Sequence, residues 1–229
     1  MKPTLRSLIV FLLAAATGMA RNPQPLHYHD TSPEPASPAR RVVLVHGFLD
    51  TGSIFDLLKQ RLHRENVACL VPKLSPSDGR DGLEMLAAQL KRDIDETYGP
   101  DQRISIIAFS MGGLVSREYL QELGGASRCD KLITISTPHH GTKAAWIYPG
   151  KGAAEMRPGS AFLARLKTSQ SALGDMPVVS YRTPMDLIIL PPTSSVWRRA
   201  VNLQYHVPLH PLMVTTRAVM DDVVRRIMK

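Results

Sequence analysis

Cysteine is nearly absent from this chain: Cys69 and Cys129 are the only two in 229 residues, so at most one disulfide is available. No Gly-rich phosphate loop and no dinucleotide fingerprint occur, which removes the commonest nucleotide-binding readings. The histidines do not fall at metal-ligand spacing. His27 and His29 lie in a Pro- and Ser-rich stretch, and His139-His140 has no third ligand at a recognisable distance. No metal and no other cofactor is expected. Internal repeats and low-complexity tracts are missing too. The one long apolar run, Leu8 to Ala16, is too short to cross a bilayer comfortably.

An acidic excess is also lacking. Against 28 Lys and Arg stand 20 Asp and Glu, a formal charge of +8. The cations are spread along the chain with no recognition motif beside them, so nucleic acid is not an expected partner. A peripheral attraction to anionic lipid or envelope polymer is compatible with the charge, as is a basic surface with no partner.

What is present begins at the N-terminus. Lys2 and Arg6 precede the apolar run, and Gly18 and Ala20 supply small residues at −3 and −1. That is the layout of a signal peptide, residues 1–20, cleaved after Ala20; an uncleaved anchor is the alternative. Either implies an exported protein, periplasmic or secreted. Cleavage would remove two cations and leave +6. Residues 21–40, rich in Pro and Ser, predict an extended linker. Residues 41–229 suffice for one domain with its own core.

Within that domain, Arg41–Val45, Val67–Val71, Ile104–Phe109, Lys131–Ile135 and Pro177–Tyr181 are short, continuous apolar runs. Unbroken β-branched runs suit parallel strands covered on both faces. Helical stripes lie between them: Ile54, Leu57, Leu58 and Leu62 with Ser53 as N-cap; Leu83, Leu86, Leu90 and Ile94; Met111 to Leu123, stopped by Gly124-Gly125; and Thr216 to Met228. Alternating strands and helices predict an α/β fold, a parallel sheet with helices on both faces. In such a sheet, functional residues collect at the carboxyl ends of the strands.

Ser110 stands at such an end. In Ala108-Phe109-Ser110-Met111-Gly112, small residues two before and two after the serine are what a tight strand-to-helix corner demands. A nucleophile held there projects above the sheet, and the helix start aims the Met111 N–H at an oxyanion. A plain N-cap serine is the competing reading. Upstream, "VVLVHGFLDTGSIF" ends a buried strand in His46-Gly47 and can offer the Phe48 N–H as a second oxyanion donor. His46 itself is expected to fix that loop by hydrogen bonding.

Strand-His46-Gly47-Phe48, then Ala108-Phe109-Ser110-Met111-Gly112-Gly113, then "ITISTPHHGT" from Ile133 to Thr142, resembles the bacterial lipase and esterase branch of the α/β-hydrolase superfamily. The pattern is similar to the GPI-inositol deacylase-like group, from about Arg41 to the C-terminus. The resemblance implies an α/β-hydrolase fold with a mostly parallel central sheet and a small or absent cap. It also implies a triad in the order Ser, acid, His. Asp186, the one carboxylate just past the strand Val178–Tyr181, matches the family acid; Asp175 precedes that strand, and Asp221 and Asp222 lie in the last helix. Of His206 and His210, the second matches the family histidine, because a short apolar stretch and the last helix follow it. The implied strand order puts two strands between Cys69 and Cys129. The resulting separation of roughly 14 Å exceeds the ~7 Å limit of a disulfide, so both thiols are expected free.

Between Thr142 and Pro177 a longer excursion carries Trp146, Ile147, Tyr148 and a helical piece with Phe162, Leu163 and Leu166. Two readings stay open, an acyl-chain groove or small lid and a helix that covers the sheet. Trp146, Leu187 and His139 are the expected substrate contacts, although His139 also suits a loop-shaping role. The expected activity is a carboxylic ester hydrolase acting on an ester or lipid substrate, with Ser110 as nucleophile, His210 as base and Asp186 as orienting acid. An acyltransferase using the same acyl-enzyme, or a non-catalytic lipid- or partner-binding domain on this scaffold, are the alternatives.

Overall fold

The computed structural model of the protein describes residues 40–229. The expected signal peptide and all of the linker but Arg40 lie outside the described residues. Six strands, β1 (Arg40–Val45), β2 (Val67–Leu70), β3 (Ile104–Phe109), β4 (Cys129–Ile135), β5 (Val178–Arg182) and β6 (Val201–Gln204), form one sheet in the order β2-β1-β3-β4-β5-β6. Every pairing is parallel. The order reverses after β2, which places the loops following β1 and β3 side by side at the carboxyl edge.

The unbroken apolar runs have the cause inferred from sequence. Successive residues serve opposite faces, and both faces are covered. Val43 and Val45 of β1 join one cluster, whereas Val42 and Leu44 join the other. The first face carries α2 (Leu83–Tyr98) and α3 (Met111–Glu122), through Leu83, Leu86, Leu90, Ile94 and Leu114. The second carries α1 (Asp56–Arg64) and, after the one-turn α6 (Leu212–Thr215), α7 (Arg217–Met228), through Leu58, Leu62, Val219, Val223 and Ile227.

Two local expectations differ. Ser53 caps no helix: a 3-10 turn over Ser53–Phe55 leads into α1, and the residue before that turn is Gly52 in the left-handed region at φ 90°. Leu57, expected on the buried stripe, is 50 % exposed. The 3-10 turn rotates the helix entry, and Phe55 fills the core instead.

Cys69 and Cys129 are both free, with β1 and β3 between their strands. Burial pushes their thiols up, to about 11 and about 12 respectively. In the excursion, α4 (Lys151–Glu155) and α5 (Ala161–Thr168) pack against α2 and α3 respectively. Phe162, Leu163 and Leu166 enter the first core cluster. Glu155 accepts the Leu83 N–H at 2.6 Å, and Arg165 bridges Glu84 and Glu118 at 2.7 and 3.1 Å. These contacts make the helical part a cover for α2 and α3.

Ile107, in the middle of β3 with no exposed surface, reports on this two-faced core. Ile107→Ala is expected to destabilise the protein by about 2–5 kcal/mol through lost burial and a residual cavity, read as a lower urea midpoint at unchanged slope.

Candidate active site

The corner after β3 is tight because three chain segments meet there. Ser110 has φ 53° and ψ −125°, a region that costs a non-glycine residue about 1–3 kcal/mol. It is held there by its own N–H donating to the Ile135 carbonyl at 2.8 Å and by its carbonyl accepting from Gly113 at 3.1 Å. A Cβ on Gly112 would lie 2.4 Å from the carbonyl oxygens of both Val45 and His46, and one on Gly113 would lie 2.0 Å from Thr137 Oγ1. Those contacts explain the glycine pair. The Ser110 side chain accepts no capping hydrogen bond from α3, so the side-chain N-cap reading does not describe it.

The loop after β1 closes over the same corner. A Cβ on Gly47 would meet Ser110 Cβ at 3.0 Å, so the loop backbone just before Phe48 lies close against the serine. The Phe48 and Met111 amides enter no turn or loop hydrogen bond, and Met111, as the first residue of α3, has no intrahelical acceptor. His46 fixes this loop as expected. Its Nε2 accepts the Leu74 N–H at 3.3 Å, so Nδ1 carries the proton and donates to the Gly47 carbonyl at 3.0 Å.

Asp186 and His210 meet across the loops that follow β5 and β6. His210 Nδ1 donates to Asp186 Oδ2 at 2.7 Å, with both side chains nearly out of solvent. Asp186 Oδ1 accepts the N–H groups of Ile188 and Ile189, each at 2.9 Å. Burial works to raise the Asp186 carboxyl, but His210 and these two amides outweigh it and hold the group below the usual carboxylate range. The other ring nitrogen, His210 Nε2, is buried and has no hydrogen-bond partner. The imidazole lies 4.7 Å from the Phe109 ring, centroid to centroid, directly before Ser110 in the chain. His206 lies beyond the end of β6, exposed.

Of the expected substrate contacts, Trp146 and Leu187 are 63 % and 54 % exposed. His139 is elsewhere. It is 3 % exposed, with Nε2 at 3.1 Å from Thr134 Oγ1 and its ring stacked 4.6 Å from Trp197. Burial, with Arg117 and His140 nearby, holds it well below the ordinary histidine value, hence neutral. The His139 ring is thus turned inward, against Thr134 and Trp197, where the loop-shaping reading describes its contacts.

Sequence reasoning missed three residues that hold the site together. Thr183 Oγ1 donates to the Val207 carbonyl at 2.7 Å and accepts the Met185 N–H at 3.2 Å, tying the Asp186 loop to the His210 loop. Thr142 Oγ1 donates to the Ile188 carbonyl at 2.7 Å and accepts the Leu190 N–H at 2.9 Å. Arg117 is buried over the Trp197 ring at 4.3 Å and donates to the Leu166 carbonyl at 2.8 Å; burial lowers its guanidinium to about 10. No local pattern marks these residues, since each works through partners distant in sequence.

Because the Asp186 carboxyl lies below its unfolded value, the ionised group stabilises the fold at pH above about 4, and this contribution is lost as pH falls toward the lower folded-state value. Asp186→Asn is expected to fall less steeply in denaturation midpoint between about pH 4 and pH 2 than the parent. Parallel urea titrations across that range measure it.

Comparison with known proteins agrees with this architecture. Among curated relatives, the lysosomal thioesterase PPT2 of mouse is 28 % identical over 131 residues, 50 % of this chain and 43 % of that protein. The human protein of that name is 28 % identical over 118 residues, 47 % of this chain and 38 % of its own. The aligned stretch thus spans less than half the length of these relatives. Among solved structures, the mature Bacillus licheniformis lipase BlEst2 superposes with a TM-score of 0.68 at 14 % identity, covering 84 % of this chain and 94 % of that one. Aspergillus fumigatus lipase B gives 0.73 at 15 % identity, covering 87 % and 55 %. The family model described as alpha/beta hydrolase fold matches residues 40–211. The chain therefore belongs to the α/β-hydrolase fold family.

Proposed function

We propose that this protein is an exported serine hydrolase that cleaves carboxylic esters through an acyl-enzyme on Ser110, with lipid-type esters as substrates. The observation that carries the reading is the buried His210 imidazole. One nitrogen is tied to Asp186 at 2.7 Å, the other is unpartnered, and the ring lies beside the residue that precedes a strained serine. A buried polar atom without a partner costs free energy, and a base awaiting a proton accounts for it. In the proposed reaction Ser110 Oγ bonds to the ester carbonyl carbon while His210 Nε2 takes the hydroxyl proton. The Phe48 and Met111 amides donate to the oxyanion. Collapse breaks the bond to the leaving oxygen, and His210 returns the proton to the departing alcohol. Water, deprotonated by the same nitrogen, then releases the acid. Asp186 holds the tautomer that leaves Nε2 free to accept.

Support for a lipid-type substrate comes from the rim. Leu49, Trp146, Met185, Leu187, Leu209 and Leu212 are each between 37 % and 63 % exposed, and all lie in the segments that follow β1, β4, β5 and β6 at the carboxyl edge of the sheet. A concentration of exposed apolar side chains along one edge suits an acyl chain. A thioester is the second reading, favoured by the identity to proteins named thioesterases. The chemistry at Ser110 is the same, and only the leaving atom differs.

A fluorophosphonate probe is expected to label the protein at Ser110, and Ser110→Ala to abolish labelling. An unlabelled parent, folded and soluble, would favour a binding protein. Asp186→Asn should lower kcat by about 10⁴-fold by leaving the wrong tautomer, and adding alcohol acceptors to the assay separates hydrolysis from acyl transfer. On a p-nitrophenyl ester series, Trp146→Ser with Leu187→Ser should reduce kcat/KM for long-chain esters by tenfold or more. The acetate ester should change little.

A further inference from the structure

The amino edge of the sheet, the end away from Ser110, carries a feature that ester cleavage does not use. A groove of about 540 Å³ opens where β5 and β6 begin and α7 ends, a size typical of small-molecule sites at about 300–1,000 Å³. Its floor is apolar, made by Pro177, Val178, Val179, Ala200 and Val201. Val201 is 56 % exposed, more than any other large aliphatic side chain described. Around the floor stand the side chains of Lys131, Arg199, Arg226 and Lys229.

This rim is short of negative charge. Arg226 pairs with Asp222 at 2.8 Å, but Lys131, Arg199 and Lys229 form no side-chain ion pair among the described residues. The adjacent carboxylate, Asp130, is bonded to Arg103. Lys131 Nζ donates to the Arg226 carbonyl, and Arg199 donates to the Gly174 and Met176 carbonyls at 2.6 and 2.7 Å. These carbonyls complete the helix end and a turn, yet they carry no formal charge and leave further donors free on each cation. Burial, and then the nearby Arg40 and Arg226, push the Lys131 ammonium down in spite of the opposing charge of Asp130, as expected where cations outnumber carboxylates. An apolar trough with a cationic rim matches one chemistry: a single anionic head on an alkyl chain.

We propose that this groove binds a free fatty acid, its carboxylate among Lys131, Arg199 and Lys229 and its chain along the Val178–Val201 floor. The inference depends on the ester-hydrolase reading only for the source of the ligand, since cleaving an acyl ester leaves this acid. Charge-assisted hydrogen bonds hold the head, and area removed from water holds the chain. A product bound at the edge opposite Ser110 would give the protein a second site for the species it releases.

The test uses the full-length Ser110→Ala protein, so no turnover enters. Dodecanoate below its micellar concentration, octanoate, acetate, inorganic phosphate and dodecyltrimethylammonium are titrated by calorimetry. Affinity is expected to rise by about fourfold per added methylene until the floor is covered, with acetate, phosphate and the cationic surfactant at least tenfold weaker than dodecanoate. Lys131→Gln and, separately, Val201→Glu should each weaken dodecanoate by about tenfold. Val201 is exposed, so its variant stays informative if Lys131→Gln fails to fold. Absence of dodecanoate binding overturns the proposal. Equal binding of phosphate or of the cationic surfactant overturns it too, as does dodecanoate binding that neither variant changes. A parent protein that hydrolyses no ester would remove the reading of Ser110 but leave this binding result untouched.

Discussion

The 2.7 Å hydrogen bond between Asp186 and His210 is the constraint on which the carboxyl edge depends. A carboxylate that is 3 % exposed is stable only when partners replace its water, and here an imidazole and two backbone amides do so. Each partner belongs to a loop that would otherwise be free to move. Thr183 links those loops from below, and Thr142 ties the start of the excursion to the same segment. Removing one member of such a buried pair generally costs about 3–5 kcal/mol, because the other is left unpaired. The arrangement that orients the His210 imidazole is therefore also a structural element.

A second constraint acts through space instead of charge. The Ser110 corner is crowded by the carbonyls of Val45 and His46 from β1 and by Thr137 from the loop after β4. Only glycines at 112 and 113 let the three segments approach so closely. That crowding holds Ser110 at φ 53° and seats Gly47 of the loop after β1 against it. Backbone strain at the serine and sheet packing on both faces thus have one origin. Tyr148 of the excursion meets Phe48 edge-on, with ring centroids 4.9 Å apart, so the short aromatic stretch around it braces the loop after β1.

The two edges of the sheet differ in chemistry. Exposed apolar side chains dominate the carboxyl edge, whereas unpaired cations and a shallow apolar trough mark the amino edge. The formal charge of +8 looked evenly spread along the sequence. Folding gathers part of it, because Lys131 of β4, Arg199 before β6 and Arg226 of α7 are far apart in the chain yet meet at one groove.

Much of this protein was legible in its residues. Runs such as Arg41–Val45 and Ile104–Phe109 announce strands buried on both faces, since no alternation is needed where water touches neither side. Ala108, Ser110 and Gly112 announce a strand-to-helix corner, since small residues there answer a local steric demand. Asp186 and His210 were implied by the resemblance to the hydrolase pattern, and the structure brings the two side chains together. The errors arose where several segments share one volume. Leu57 reads like Leu58 until a 3-10 turn rotates its helix outward. His139 reads as a loop residue at the active edge until Trp197 and Thr134, from other elements, draw its ring inward. Arg117, Thr142 and Thr183 carry no local signature at all. The sequence by itself determined the elements and the chemistry available at their ends, because hydrophobic period and turn sterics act between near neighbours. Only the tertiary structure decided which side chains face solvent, which loops are latched and where the charges converge, because those depend on contacts between residues tens of positions apart.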